Sequence, residues 1–132
     1  MIKQSFSIDG YWEVTVYWNL DCDFFSDIEF ELMKIGFSRA ATEEVYNTMR
    51  YGNVKAVTCS KLEEHSSVVI FNPHSSKADY ISSIVHEAEH IKQAILEAYN
   101  VEDRGEAPAY TIGYLISQMY DVFGKLICEW KE

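Results

Sequence analysis

The sequence predicts a single α+β domain that spans residues 1–132. Three observations support this prediction: an alternating N-terminal hairpin, two short β-rich runs in the middle of the chain, and two long helical patterns after them. With 48% apolar residues and 14% aromatic residues, the chain can bury one hydrophobic core without disulfide bonds. We therefore expect a small twisted sheet packed against helices.

Composition and charge exclude several classes of function. The formal net charge is −10 and the 11 basic residues are scattered, whereas binding to nucleic acid requires clustered Lys and Arg. No stretch approaches the roughly 20 apolar residues of a membrane span, and the N-terminus lacks a signal-peptide pattern. Three cysteines without a CxxC motif predict neither a disulfide framework nor a thiolate metal site. We expect a cytoplasmic protein that binds neither nucleic acid nor membranes.

The N-terminal pattern is typical of a β-hairpin. Phe6 to Ile8 forms the first predicted strand, Asp9-Gly10 the turn, and Tyr11 to Leu20 the second strand, where apolar and polar residues alternate. This alternation places one face of the hairpin in the core and the other towards water. Ser26 and Glu29 then form a capping box, which predicts the start of a helix.

The middle of the chain contains one more helix and two more strands. Gly36 is placed to end the first helix, and a second helix is predicted from Arg39 to Tyr51, stopped by Gly52. Two β-rich runs follow, Val54 to Cys59 and Ser67 to Phe71.

Two long helices are predicted in the second half. Ser76 and Asp79 resemble a capping pair for a helix that reaches about Tyr99. After a polar link, Pro108 lies where the first turn of a helix tolerates proline, and the helical pattern continues to about Trp130. The first of these helices has an apolar stripe at steps of three and four residues: Ile81, Ile84, Val85, Ala88, Ile91, Ile95 and Ala98.

The motif HEAEH at residues 86–90 lies on the face of this helix opposite the apolar stripe. His86 and His90 are one turn apart, with Cβ atoms about 5 to 6 Å from each other, so their imidazoles can converge on one ion. Imidazole nitrogens bind zinc, and Glu87 is placed to act as general base for a zinc-activated water. HExxH on a helix is typical of zinc peptidases. Zn²⁺ is thus the predicted cofactor.

A third ligand must come from another part of the chain. We predict Glu106, at the start of the C-terminal helix, because a row of small residues on the same side of that helix would allow close approach to the HEAEH helix. Glu102 and Asp103 in the link are alternative ligands. The row consists of Ala109, Gly113, Ser117 and Gly124.

Residues 86–90 and the run GEAPAY at residues 105–110 together resemble the gluzincin branch of the zincins, in particular short zincin-like proteins of phages and bacterial mobile elements. The resemblance covers about Ser67 to Leu126. It implies a zincin-like α+β fold, in which the sheet packs on the HExxH helix and a C-terminal backing helix. It also implies ligands His86, His90 and Glu106, Glu87 as base, and a sheet edge near Val68 to Phe71 that could hold an extended peptide. The expected activity is zinc-dependent cleavage of a peptide or protein that the sequence does not identify.

Further residues are weaker candidates for the site. Tyr110 could stabilise an oxyanion through its hydroxyl, His74 and His65 could assist, and Glu89 could orient a ligand histidine. Two alternatives remain open: a zincin-shaped binding or phage-type structural protein with a structural or absent metal, and a metal-free helical protein whose histidines are solvated. Oligomeric state does not follow from the sequence.

Overall fold

The computed structural model describes residues 1–131, which form four strands and four helices, so the predicted α+β class is confirmed. The strands are β1 (Ile2–Ile8), β2 (Trp12–Trp18), β3 (Ala56–Lys61) and β4 (Ser66–Phe71). The helices are α1 (Phe25–Lys34), α2 (Arg39–Tyr51), α3 (Lys77–Ala98) and α4 (Glu106–Glu129), with a 3₁₀ turn at Cys22–Phe24 before α1. Within residues 1–131, no helix has the combination of length and apolarity that a membrane span requires.

The predicted N-terminal hairpin is present. β1 and β2 pair in antiparallel register from Ile2↔Trp18 to Ile8↔Trp12, and β1 begins four residues before the predicted Phe6. Asp9 and Gly10 adopt positive φ angles of 48° and 79°, which an Asp-Gly turn tolerates.

The four strands form one mixed sheet in the order β1-β2-β4-β3. β4 pairs in parallel with β2 and antiparallel with β3, so it lies inside the sheet. The prediction of a sheet edge at Val68 to Phe71 is therefore wrong. All four of these residues are buried, because β4 is apolar on both faces and has a helical layer on each side. The strand at this edge of the sheet is β3.

Helices cover both faces of the sheet. On one face, α1 and α2 bury Phe25, Ile28, Leu32 and Met49 against Tyr17 and alternate residues of β4. On the other face, α3 and α4 pack over Trp12, Val14, Val16 and Trp18. The sheet thus separates two cores, and α3 and α4 belong to the same one.

Most of the helix ends that short sequence patterns predict are present in the structure. α2 has the predicted bounds, Gly36 follows α1 with a φ of 111°, and the Ser76 hydroxyl accepts a hydrogen bond from the Asp79 amide at 3.1 Å. The predicted cap at Ser26 is wrong. The chain already turns at Asp21, whose carboxylate accepts a hydrogen bond from the Asp23 amide, so α1 begins before Ser26.

Candidate metal centre

On α3, His86 and His90 lie away from the buried stripe of the helix, whereas Glu87 is buried. Ile84, Ala88, Ile91 and Ile95 are buried, as their spacing predicts, and hold the helix against the sheet. Ile81 and Val85 from the predicted stripe are exposed instead, because the helix contacts its neighbours over a narrower arc. His86 and His90 are exposed on the far side.

His86, Glu87 and His90 lie together. Each offers one potential ligand atom, and these atoms all lie within 4.8 Å of one another. The Nε2 atoms of His86 and His90 are 3.1 Å apart, and the rings meet edge to face. Two nitrogens at this separation can both lie about 2.0 to 2.1 Å from one ion, the usual Zn–N distance. The three side chains could therefore hold a metal.

Glu87 differs from the two histidines because it is buried, with only 4% of its surface exposed. One residue turns an α-helix by about 100°, which rotates Glu87 from the exposed face towards β3. There the Thr58 hydroxyl donates a hydrogen bond to Glu87 Oε1 at 3.0 Å. This bond satisfies one carboxylate oxygen and fixes the direction of the side chain.

Cys59, the neighbour of Thr58 on β3, does not extend the group. Its side chain belongs to the core on the opposite face of the sheet. Burial raises the pKa of its thiol to about 11, and the nearby negative charge of Glu87 contributes in the same direction. At neutral pH, Cys59 is therefore a thiol and not a thiolate ligand.

The His–Glu–His group lies in a groove between α3 and β3. The larger segment has a volume of about 480 Å³ and runs from the group towards the C-terminal end of α3, where Leu62, Ala94 and Glu97 line it. A smaller segment of about 340 Å³ runs towards Lys55 and Asp79. Ala56, His86 and Glu87 line both segments, so the two segments meet beside the His–Glu–His group.

The structure does not bring Glu106 into this group. Glu106 is exposed, and the small row that shares its helix face, at residues 109, 113 and 117, is exposed too. α4 instead packs through a buried stripe that faces the other way: Thr111, Leu115, Met119 and Phe123. The predicted use of the small row as the contact with α3 is wrong, because the bulky apolar residues bury more surface. Within residues 1–131 the group of possible ligands contains His86, Glu87 and His90 alone.

The alternative ligands also have other partners. Asp103 forms an ion pair with Lys92 at 2.9 Å, and Glu102 forms one with Arg104 at 2.6 Å. Glu89, predicted to support a histidine, accepts instead from Lys92 at 2.7 Å. Lys92 thus attaches the α3–α4 link to a flank of α3 away from the histidines.

Tyr110, His74 and His65 lie elsewhere as well. The Tyr110 hydroxyl donates to the Asp9 carboxylate in the hairpin turn at 3.4 Å, and the negative charge of Asp9 raises the pKa of the phenol. His74 bonds to Asn72 and Ser83, and His65 contacts Tyr99 and Trp12. None of the three lines the groove segments beside His86.

Sequence reasoning missed Thr58 and β3 as parts of the site. The alternation of Thr58 and Ser60 with Val57 and Cys59 gives β3 a polar face towards the groove. This pattern could have indicated the strand next to a polar site, but not its pairing with Glu87.

Comparisons with known proteins found no match among family models, curated proteins or solved structures.

Proposed function

We propose that this protein is a zinc-dependent hydrolase, a metallopeptidase that cleaves an amide bond of a peptide bound in the α3–β3 groove. The observation that supports the proposal is the convergence of His86, Glu87 and His90 at an accessible groove, with the carboxylate buried and held by Thr58. A helix with two solvated histidines would not require a buried carboxylate between them.

His86 and His90 would hold the metal through their Nε2 atoms. Both are exposed, so their nitrogens are accessible to an ion from solvent. Bound zinc supplies Lewis acidity and lowers the pKa of a coordinated water towards about 7.

Glu87 would act as general base. Its carboxylate lies within 4.8 Å of the ligand nitrogens, near enough for a water between them to reach it. Since Thr58 occupies Oε1, the second oxygen, Oε2, is the one available to accept the proton and return it to the leaving amine. Burial between α3 and β3 limits the directions in which this side chain can turn.

β3 would supply the binding surface for the substrate. It pairs on one side with β4 and, within residues 1–131, has no strand on its other side, so backbone groups at its free edge can pair with an extended peptide. Ala56, Thr58 and Ser60 line the groove at this strand. We therefore propose β3, and not the predicted β4, as the strand that binds the peptide.

One observation favours a second candidate, a binding protein with a structural metal. With Glu106 outside the group, the site offers two imidazoles and one carboxylate. If Glu87 itself bound the metal, no base would remain and catalysis would be lost. The roles of Glu87 as base and as ligand are therefore the alternatives to separate.

The test is Glu87→Gln, which preserves the size of the side chain and its bond to Thr58. Metal content and hydrolysis of a mixture of fluorogenic peptides are measured for the zinc-loaded protein. A base predicts unchanged zinc and a loss of turnover of about 10²- to 10⁴-fold. Glu89→Gln is the matched control, since Glu89 faces Lys92, and should leave both unchanged.

Two results would reject the proposal. Loss of zinc from the Glu87→Gln protein would make Glu87 a ligand. Equal hydrolysis by the variant and the wild type would remove the mechanism.

A further inference from the structure

We propose that the groove between α3 and β3 contains a subsite for a basic side chain, with Glu97 as the residue that selects it. This inference rests on the proposed function, because it names the class of substrate: an extended peptide with Lys or Arg about three residues from the bond to be cleaved. It assigns a role to the part of the groove beside the C-terminal end of α3, beyond the His–Glu–His group.

The charge of the groove is uneven. Apart from the two histidines, the charged residues that line its larger segment are Glu87 and Glu97, and both are acidic. Lys61, the lysine of β3, does not line this segment. Its Nζ atom lies over the Phe37 ring, 4.6 Å from the ring centroid. At the other end of the groove, Lys55 is neutralised by an ion pair with Asp79. Because Glu87 lines both segments, the charge that makes the groove uneven is that of Glu97, on the side towards the C-terminal end of α3.

Glu97 is free to bind a ligand. Among residues 1–131, its carboxylate has no hydrogen-bond or ion-pair partner, whereas Glu89, Glu102 and Asp103 nearby all have one. Glu97 is exposed at the groove, so a cation could reach it without displacing another group.

The walls of the same segment suit the rest of a basic side chain. Leu62 on one side and Ala94 on the other are half-buried apolar residues that line the groove before Glu97. Lys and Arg place their aliphatic stems on apolar surface and keep the charged end in water. A stem on Leu62 and Ala94 would bring its cationic end to Glu97.

The position of the subsite follows from helix geometry. Glu97 is seven residues after His90, about 10 Å along α3 at 1.5 Å per residue. An extended peptide advances about 3.3 Å per residue, so this distance corresponds to about three residues. The basic residue would therefore lie about three positions from the scissile bond.

The experiment compares lysine with norleucine, which has the same aliphatic stem without the charge. Capped alanine-rich nonapeptides with one such residue at each position in turn are tested for binding to the zinc-loaded Glu87→Gln protein by fluorescence anisotropy. We expect lysine at one position to bind about two- to fivefold more tightly than norleucine at low salt, with a smaller difference at high salt.

The added Glu97→Gln substitution should abolish this difference and leave norleucine binding unchanged. Glu44→Gln is the matched control because it makes the same change in net charge on α2, on the other face of the sheet, and should preserve the preference.

The outcomes separate the subsite from the activity. Equal binding of both peptides at every position, absence of any binding, or a lysine preference that survives Glu97→Gln would each overturn the subsite. A lysine preference that depends on Glu97, in a wild-type protein that hydrolyses none of the peptides, would support the subsite and overturn the proposed catalysis.

Discussion

The four histidines form two contrasting pairs. His74 is held by its surroundings: Nδ1 lies 2.7 Å from the Asn72 carbonyl, Nε2 lies 2.7 Å from the Ser83 hydroxyl, and the ring stacks on Tyr80. His65 similarly stacks on Trp12 and contacts the Tyr99 hydroxyl. His86 and His90, by contrast, have only each other as hydrogen-bond partners within residues 1–131. An imidazole whose nitrogens are already bonded supports the fold, whereas an exposed pair with converging nitrogens is available to an ion.

The largest expected effect is on metal affinity. Replacing His90 by Ala removes one of two imidazole ligands, and we expect zinc affinity to fall at least about 100-fold, since even the loss of a residue that only supports a ligand costs about 10- to 100-fold. Competition with a chromophoric chelator measures this change. His74→Ala should bind zinc like the wild type. If His74→Ala lost as much zinc affinity as His90→Ala, the distinction between the two pairs of histidines would be wrong.

The next effect is on stability, where we expect the loss of His74 to cost more than the loss of a candidate metal ligand. His74→Ala removes two hydrogen bonds and a stacked ring, so we expect the free energy of unfolding of the metal-free protein to fall by about 1 to 3 kcal/mol. His86→Ala, at an exposed position, should change it by no more than about 0.5 kcal/mol. Urea denaturation in the presence of chelator gives both values. A free energy of unfolding that does not fall in His74→Ala would contradict the role assigned to the hydrogen bonds of His74.

The smallest effect concerns the support of Glu87. Thr58→Val keeps the shape of the side chain but removes its hydroxyl, and we expect about a tenfold loss of kcat with unchanged zinc content. Val57→Ala, on the same strand, is the control for general loosening of β3. A kcat that does not change in Thr58→Val would show that Thr58 only packs against α3.

Most local features could be predicted from the sequence, since they depend on nearby residues. The Ser76 cap, the end of α1 at Gly36 and the bounds of α2 follow from short-range hydrogen bonds and φ preferences. The approach of His86 to His90 also follows from helical spacing alone. The fold class followed from the order of these local patterns.

The relations between distant elements could not be predicted in the same way. The small row of α4 predicts that Glu106 lies at the site, but in the packed structure the bulky stripe at Leu115 and Met119 forms the contact face of that helix. The position of β4 inside the sheet likewise depends on which strands pair with it. Its continuous apolar run is nevertheless typical of a strand buried on both faces. The zincin resemblance itself stays a prediction.

The edge position of β3 has a consequence for the motions of the site. An edge strand is held by hydrogen bonds to one neighbour, so it can separate locally from β4 without opening the ladder between β2 and β4. Such an opening would carry Thr58 away from Glu87 and release the carboxylate in the same event. Amide exchange along β3 therefore reports how often Glu87 is free to swing, and a peptide paired to the edge would slow that exchange by giving the strand a second neighbour.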